Sequence, residues 1–106
     1  MSEIAEIQDS EVDSLLSGER FVVIYLMAPQ SDSCRNLFPI MAQLANTYDG
    51  LAKIVKLDIS KNKITPQKFS AYIIPAVLIF KNGILVEKLL WIATYENFRG
   101  IIDQHI

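Results

Sequence analysis

Apolar positions along the chain fall into two kinds of run. Phe21 to Met27, FVVIYLM, is apolar throughout and rich in β-branched and aromatic side chains. Seven residues is short for a core helix, so the run predicts a strand buried on both faces. Ala76 to Phe80, AVLIF, has the same character, and Lys53 to Ile59 and Ile84 to Leu90 read as further strands. The second kind of run has helical spacing. Leu37, Ile40, Met41, Leu44, Ala45 and Tyr48 recur at i, i+3, i+4, i+7, i+8 and i+11, one face of a helix. Pro39 inside it predicts a kink, and Asp49-Gly50 ends it. Glu11 to Leu16 reads as a short first helix, stopped near Gly18. Thr65 to Ala71 reads as another, with Thr65 as cap and Pro66 in its first position. Thr94 caps a last helix with Phe98, Ile101 and Ile102 on its inner face.

Asn82-Gly83 is a strong hairpin signal, so the fourth strand returns antiparallel to the third. The order is α, β, α, β, α, β, β, α. Strands apolar on both faces need cover on both sides. The expected architecture is therefore α/β, three layers with a mixed central sheet of strands at about 21–27, 53–59, 76–80 and 84–90. A chain of 106 residues suits a single domain spanning 1–106.

Composition removes several classes of function. Half the residues are apolar (51%), which excludes a disordered chain. The net charge is −2 and the ten basic residues are scattered, so no nucleic-acid partner is expected. The acidic, polar start MSEIAEIQDSEVDSL lacks the pattern of a signal peptide. No apolar stretch reaches the roughly 20 residues that span a membrane. The expected compartment is the cytoplasm. Cys34 is the only cysteine and His105 the only histidine, which leaves no intramolecular disulfide and almost no zinc ligands. No cofactor is expected. A serine-hydrolase reading would need His105 as its base, at the far terminus, where the side chain is expected to be solvated. Tyr72, Tyr95 and Phe69 read as packing or surface residues.

The element order, with Ala28 and Cys34 flanking a loop before a helix, Pro39 within that helix, the text KLDI, and IIPAVLIFKNG, resembles the thioredoxin family from about Phe21 to the carboxyl end. The resemblance implies the thioredoxin fold. It also implies a cis bond before Pro75, facing the loop, and an Ile74 backbone that pairs with an extended substrate segment by strand addition.

Set against that family, the departures bear on function. Thioredoxins use two thiols, one to attack a disulfide and one to resolve the mixed disulfide. Here the loop reads Ser31-Asp32-Ser33-Cys34. Ser31 takes the attacking position and Cys34 the resolving one. Serine cannot exchange a disulfide, so two-thiol reduction within this chain is excluded. The family's buried aspartate is replaced by Tyr25, leaving Lys56 without that acidic neighbour; Asp58 or the Tyr25 hydroxyl are the candidates to take its place. Trp91 falls where the family has a glycine facing the loop, either as packing or as an aromatic across the groove. A helix amino terminus favours negative charge on Cys34, while burial and Asp32 oppose it and Arg35 offsets Asp32.

Two functions compete. The first is a non-reducing, protein-binding or chaperone-type module that uses the groove of Asp32, Ser33, Ile74, Pro75 and Trp91 on a protein or extended peptide. The alternative is a monothiol redox protein acting through Cys34, with glutathione as a possible partner. A monomer or weak dimer is expected.

Overall fold

The computed structural model describes residues 4–90 and 93–106. In chain order the elements are β1 (Ala5–Ile7), a 3-10 turn (Asp9–Glu11), α1 (Val12–Gly18), β2 (Phe21–Met27), α2 (Asp32–Thr47), β3 (Lys53–Asp58), α3 (Ile64–Lys68), β4 (Ala76–Lys81), β5 (Ile84–Leu89) and α4 (Tyr95–His105). The sheet order is β1-β3-β2-β4-β5. β1 and β2 both run parallel to β3, while β4 is antiparallel to β2 and β5 to β4.

Alternation along β2 builds both cores. Phe21, Val23 and Tyr25 pack with Leu37, Met41 and Leu44 of α2 and with Phe98 and Ile102 of α4. Val22, Ile24 and Leu26 point the other way, onto Val55, Leu57, Leu78 and Phe80, with Val12, Leu15 and Leu16 covering them. A strand that is core on both faces cannot show an alternating pattern, which is why β2 reads as one continuous apolar run. Asn82 (φ 52°) and Gly83 (φ 81°) both adopt the left-handed conformation of a tight hairpin turn between β4 and β5. The amide of Asn82 also donates to the Arg20 carbonyl at 2.7 Å.

The structure corrects four expectations. A fifth strand, β1, adds an edge beside β3; its three residues leave only Ile7 buried, too little for a pattern to register. The strand ends move by one residue, β3 stopping at Asp58, β4 reaching Lys81 and β5 stopping at Leu89. His105 is half-buried, not solvated: its Nε2 lies 2.8 Å from Glu87 Oε2, joining α4 to β5.

The fourth correction concerns α3. It starts at Ile64, so Thr65 is not its cap and Pro66 is not its first residue. The cap comes from 55 residues away. Asp9 accepts from the Ile64 amide (3.0 Å), the Thr65 amide (2.9 Å) and the Thr65 hydroxyl (2.6 Å). The Asp9 amide in turn donates to Asn62 Oδ1 at 2.8 Å, and Asn62 Nδ2 donates to Gln8 Oε1 at 2.9 Å. Desolvation pushes the Asp9 carboxyl up, but the bonds from Thr65 and from the backbone of Ile64 and Lys63 outweigh it and hold the group below its ordinary 3.8. A carboxylate with a depressed folded-state pKa stabilises fully above its unfolded pKa and loses that contribution as pH falls through the folded value. Asp9→Ala is therefore expected to cost about 1 kcal/mol at neutral pH, read by urea unfolding. The gap between variant and wild type should close as pH falls below about 3.8.

Candidate thiol site

β2 ends at Met27 and delivers the chain into a tight loop. The Ser31 amide donates to the Ala28 carbonyl at 3.1 Å, and Arg35 closes the loop from α2, its Nη1 donating to the Pro29 carbonyl at 2.9 Å. The other arm of Arg35 pairs with Asp32. Both side chains of that pair are exposed, so it contributes little stability. Ser31 caps α2: its hydroxyl oxygen accepts from the Cys34 amide at 3.4 Å. In this chain Ser31 therefore serves as an N-cap.

Cys34 occupies the first turn of α2 and is 2% exposed. Below it lies Tyr25, fully buried on β2, whose hydroxyl donates to the Cys34 carbonyl. Burial, and then the adjacent Cys34 side chain, push the Tyr25 hydroxyl far above its ordinary 10.0. At neutral pH Tyr25 is thus a neutral hydrogen-bond donor and cannot serve as a base in the way a carboxylate would. Both backbone polar groups of Cys34 are held by side chains, the amide by Ser31 and the carbonyl by Tyr25.

Asp58, the other candidate for the acidic role, has other partners, and Lys56 turns away. Lys56 pairs with Tyr25 in register, but its ammonium turns outward over the Phe38 ring, 4.8 Å from the centroid. Asp58 is 1% exposed, and its Oδ1 is occupied by the Ser60 amide (2.9 Å) and hydroxyl (2.6 Å). Among the described residues no carboxylate is paired with Lys56.

β4 begins at Ala76, opposite Leu26, so Ile74 and Pro75 lie at the sheet end from which the 28–31 loop leaves. The Ile74–Pro75 bond is cis. Pro75 is buried and Ile74 half-buried, touching both core layers. The amide and carbonyl of Ile74 have no partner among the described residues. Tyr72 and Ile73 beside it are exposed, as are Asp32 and Ser33 across the end of the sheet. A hollow of about 360 Å³ lined by Ile59, Lys63, Pro66, Gln67 and Tyr72 adjoins this end. The larger hollow of about 620 Å³, lined by Leu16, Arg20, Lys68 and Gly83 among others, adjoins the β4–β5 hairpin at the opposite end of the sheet. The thiol is thus present but covered. Trp91 lies outside the described residues. Among those residues no group of three His, Cys, Asp or Glu side chains is placed to hold a metal.

Two features of the site lay beyond sequence reasoning. The Arg35 clamp on Pro29 had a partial signal in the i, i+3 spacing of Asp32 and Arg35. The Tyr25–Cys34 bond had none, because it depends on how α2 settles on β2.

A central mixed sheet between helical layers, with a cis-proline at the sheet end where a cysteine starts a helix, defines the class of thioredoxin-fold proteins. Comparison with known proteins narrows this to a family. The thioredoxin family model matches residues 3–104. A thioredoxin from Staphylococcus epidermidis is 34% identical over 104 residues, covering 97% of this chain and 98% of the relative. One from Staphylococcus aureus is 32% identical over the same length. This chain belongs to the thioredoxin family. A mutant thioredoxin from Halobacterium salinarum superposes with a TM-score of 0.88 over 97% of this chain and 90% of that one; at 21% identity it shows the fold alone. No helix among the described residues is long and apolar enough to cross a membrane.

Proposed function

We propose that this protein works in thiol–disulfide chemistry as a monothiol, in the cytoplasm, with Cys34 as its reacting group and a protein segment or glutathione as partner. The observation that carries this reading is a thiol kept in the first turn of α2, in a chain that is thioredoxin-like over nearly its whole length. Its relatives bear the name thioredoxin, which weighs toward redox chemistry over a purely binding role.

The step balances without a second cysteine. Cys34 gives its proton to solvent, and its sulfur attacks one sulfur of a disulfide. A new S–S bond forms, the old one breaks, and the leaving thiolate takes up a proton. A second, external thiol such as glutathione then attacks the mixed disulfide and restores the Cys34 thiol. Over these two steps one external thiol replaces one half of the disulfide, leaving a mixed disulfide with the external thiol and one released thiol. A further external thiol attacking that mixed disulfide completes the reduction, so that two external thiols are oxidised for each disulfide reduced. The backbone of Ile74, without a hydrogen-bond partner among the described residues, supports binding of an extended segment beside the loop.

Turnover of a small mixed disulfide with glutathione tests this. Wild type is expected to run above the uncatalysed rate and Cys34→Ser to fall to it; equal rates for the two would remove the proposal.

The burial of Cys34 and the capping role of Ser31 favour a second reading, a groove that binds protein segments without reducing them. Capture of a partner that Cys34→Ser leaves unchanged, with no turnover by either protein, would establish that reading instead.

A further inference from the structure

We propose that the Tyr25 hydroxyl is a latch on Cys34, a positioning group that sets how often the thiol reaches solvent. The role rests on the monothiol reading for its use, though not for its test. Cys34 is 2% exposed in a segment whose immediate neighbours Ser33 and Arg35 are exposed, so the thiol alone is turned inward. What holds it there is specific. Tyr25 is wholly buried on β2, in the same core cluster as Cys34, Leu37 and Met41 of α2. Its hydroxyl reaches out of the sheet to the Cys34 carbonyl. β2 is the central strand, paired on both edges with β3 and β4, and so is a firm anchor.

The Arg35 bond to the Pro29 carbonyl ties the turn to the loop and not to the sheet, and the other polar ties are weak. The Ser31 cap on the Cys34 amide is long, at 3.4 Å. Pro39 has no amide to donate to the Arg35 carbonyl, so the first turn of α2 lacks one of its own bonds. The Asp32–Arg35 pair is open to solvent. With the Cys34 and Leu37 side chains packed in the core, the Tyr25 hydroxyl is the side-chain hydrogen bond that ties this turn directly to the sheet. Releasing that bond lets the turn swing outward and present the sulfur, with α2 beyond Pro39 staying packed through Met41 and Leu44.

The test is the second-order rate of Cys34 labelling by a maleimide in the native protein. Tyr25→Phe keeps the ring and removes only the hydroxyl; one net hydrogen bond corresponds to a rate increase of about fivefold. Leu44→Ala is the control. It lowers overall stability by more, yet leaves the latch intact, so it should label more slowly than Tyr25→Phe. Tyr25→3-fluorotyrosine, a stronger donor in the same shape, should label more slowly than wild type. Labelling of Leu44→Ala as fast as Tyr25→Phe would show that the thiol is reached through global unfolding, and would overturn the latch. A 3-fluorotyrosine protein labelled faster than wild type would do the same. Maleimide labelling involves no disulfide, so a latch without turnover, or turnover without a latch, separates this role from the monothiol reading.

Discussion

Replacing Ser31 by cysteine is expected to turn a protein with no dithiol activity into one that reduces insulin. The wild-type chain has one thiol, so with dithiothreitol it exchanges through Cys34 alone and should fall far short of a two-thiol protein. Ser31 stands at the N-cap of α2, its side chain directed at the Cys34 amide, where backbone donors and the helix dipole favour a thiolate. It is more exposed than Cys34, as an attacking thiol must be. Residues three apart at a helix start are close enough for a disulfide to join them. Ser31→Cys thus supplies the attacking sulfur and leaves Cys34 to resolve. Tyr25 remains a neutral donor, so solvent base must take the Cys34 proton, and turnover should rise with pH through the neutral range. The turbidity assay gives a direct reading: Ser31→Cys well above wild type. Wild type as fast as Ser31→Cys would mean that the second thiol adds nothing. A silent Ser31→Cys would mean that the sheet end no longer seats a disulfide.

The largest expected loss of stability is Phe98→Ala. Phe98 is fully buried and brings α4 onto the face of the sheet that also receives Leu37, Met41 and Leu44. Truncating a buried phenylalanine costs about 3–5 kcal/mol in lost transfer energy and cavity. Domains of this size have about 5–15 kcal/mol in total, so the variant should unfold at a much lower urea concentration than wild type. A urea midpoint near wild type would show that α4 contributes little to the core. The polar contacts between α2 and α4 cannot replace that packing. Tyr48 donates to Asp103 Oδ1 at 2.6 Å, and burial followed by that bond pushes its hydroxyl up to about 12. Tyr95 and Thr47 share a bond of 2.6 Å at the surface.

The strands and helices that build the core were legible because burial on a regular element imposes a period. β2 and β4 showed it as unbroken apolar runs, α2 as its i, i+3, i+4 stripe, and the Asn82-Gly83 turn through the conformation those two residues tolerate. Local rules failed where the deciding partner is far along the chain. β1 has one buried residue and forms only because the edge of β3 is open. The start of α3 is fixed by Asp9, 55 residues away, which no local capping rule can anticipate. The pairing of His105 with Glu87 has the same origin.

At the thiol site the sequence located Cys34, Ser31 and the Ile74–Pro75 corner through ordered motifs. It could not tell whether the thiol faces solvent, because Tyr25 and Cys34 meet only after α2 has packed. Packing likewise sets the surroundings of Lys56 and Asp58, which meet Phe38 and Ser60 respectively.

The most direct measurement of Cys34 chemistry is intact-mass analysis of the native protein after exposure to glutathione disulfide. Monothiol exchange predicts one glutathione adduct on wild type, removed by added glutathione, formed faster by Tyr25→Phe, and absent from Cys34→Ser. A native wild-type protein that stays unmodified while a short model thiol peptide is fully exchanged would contradict it.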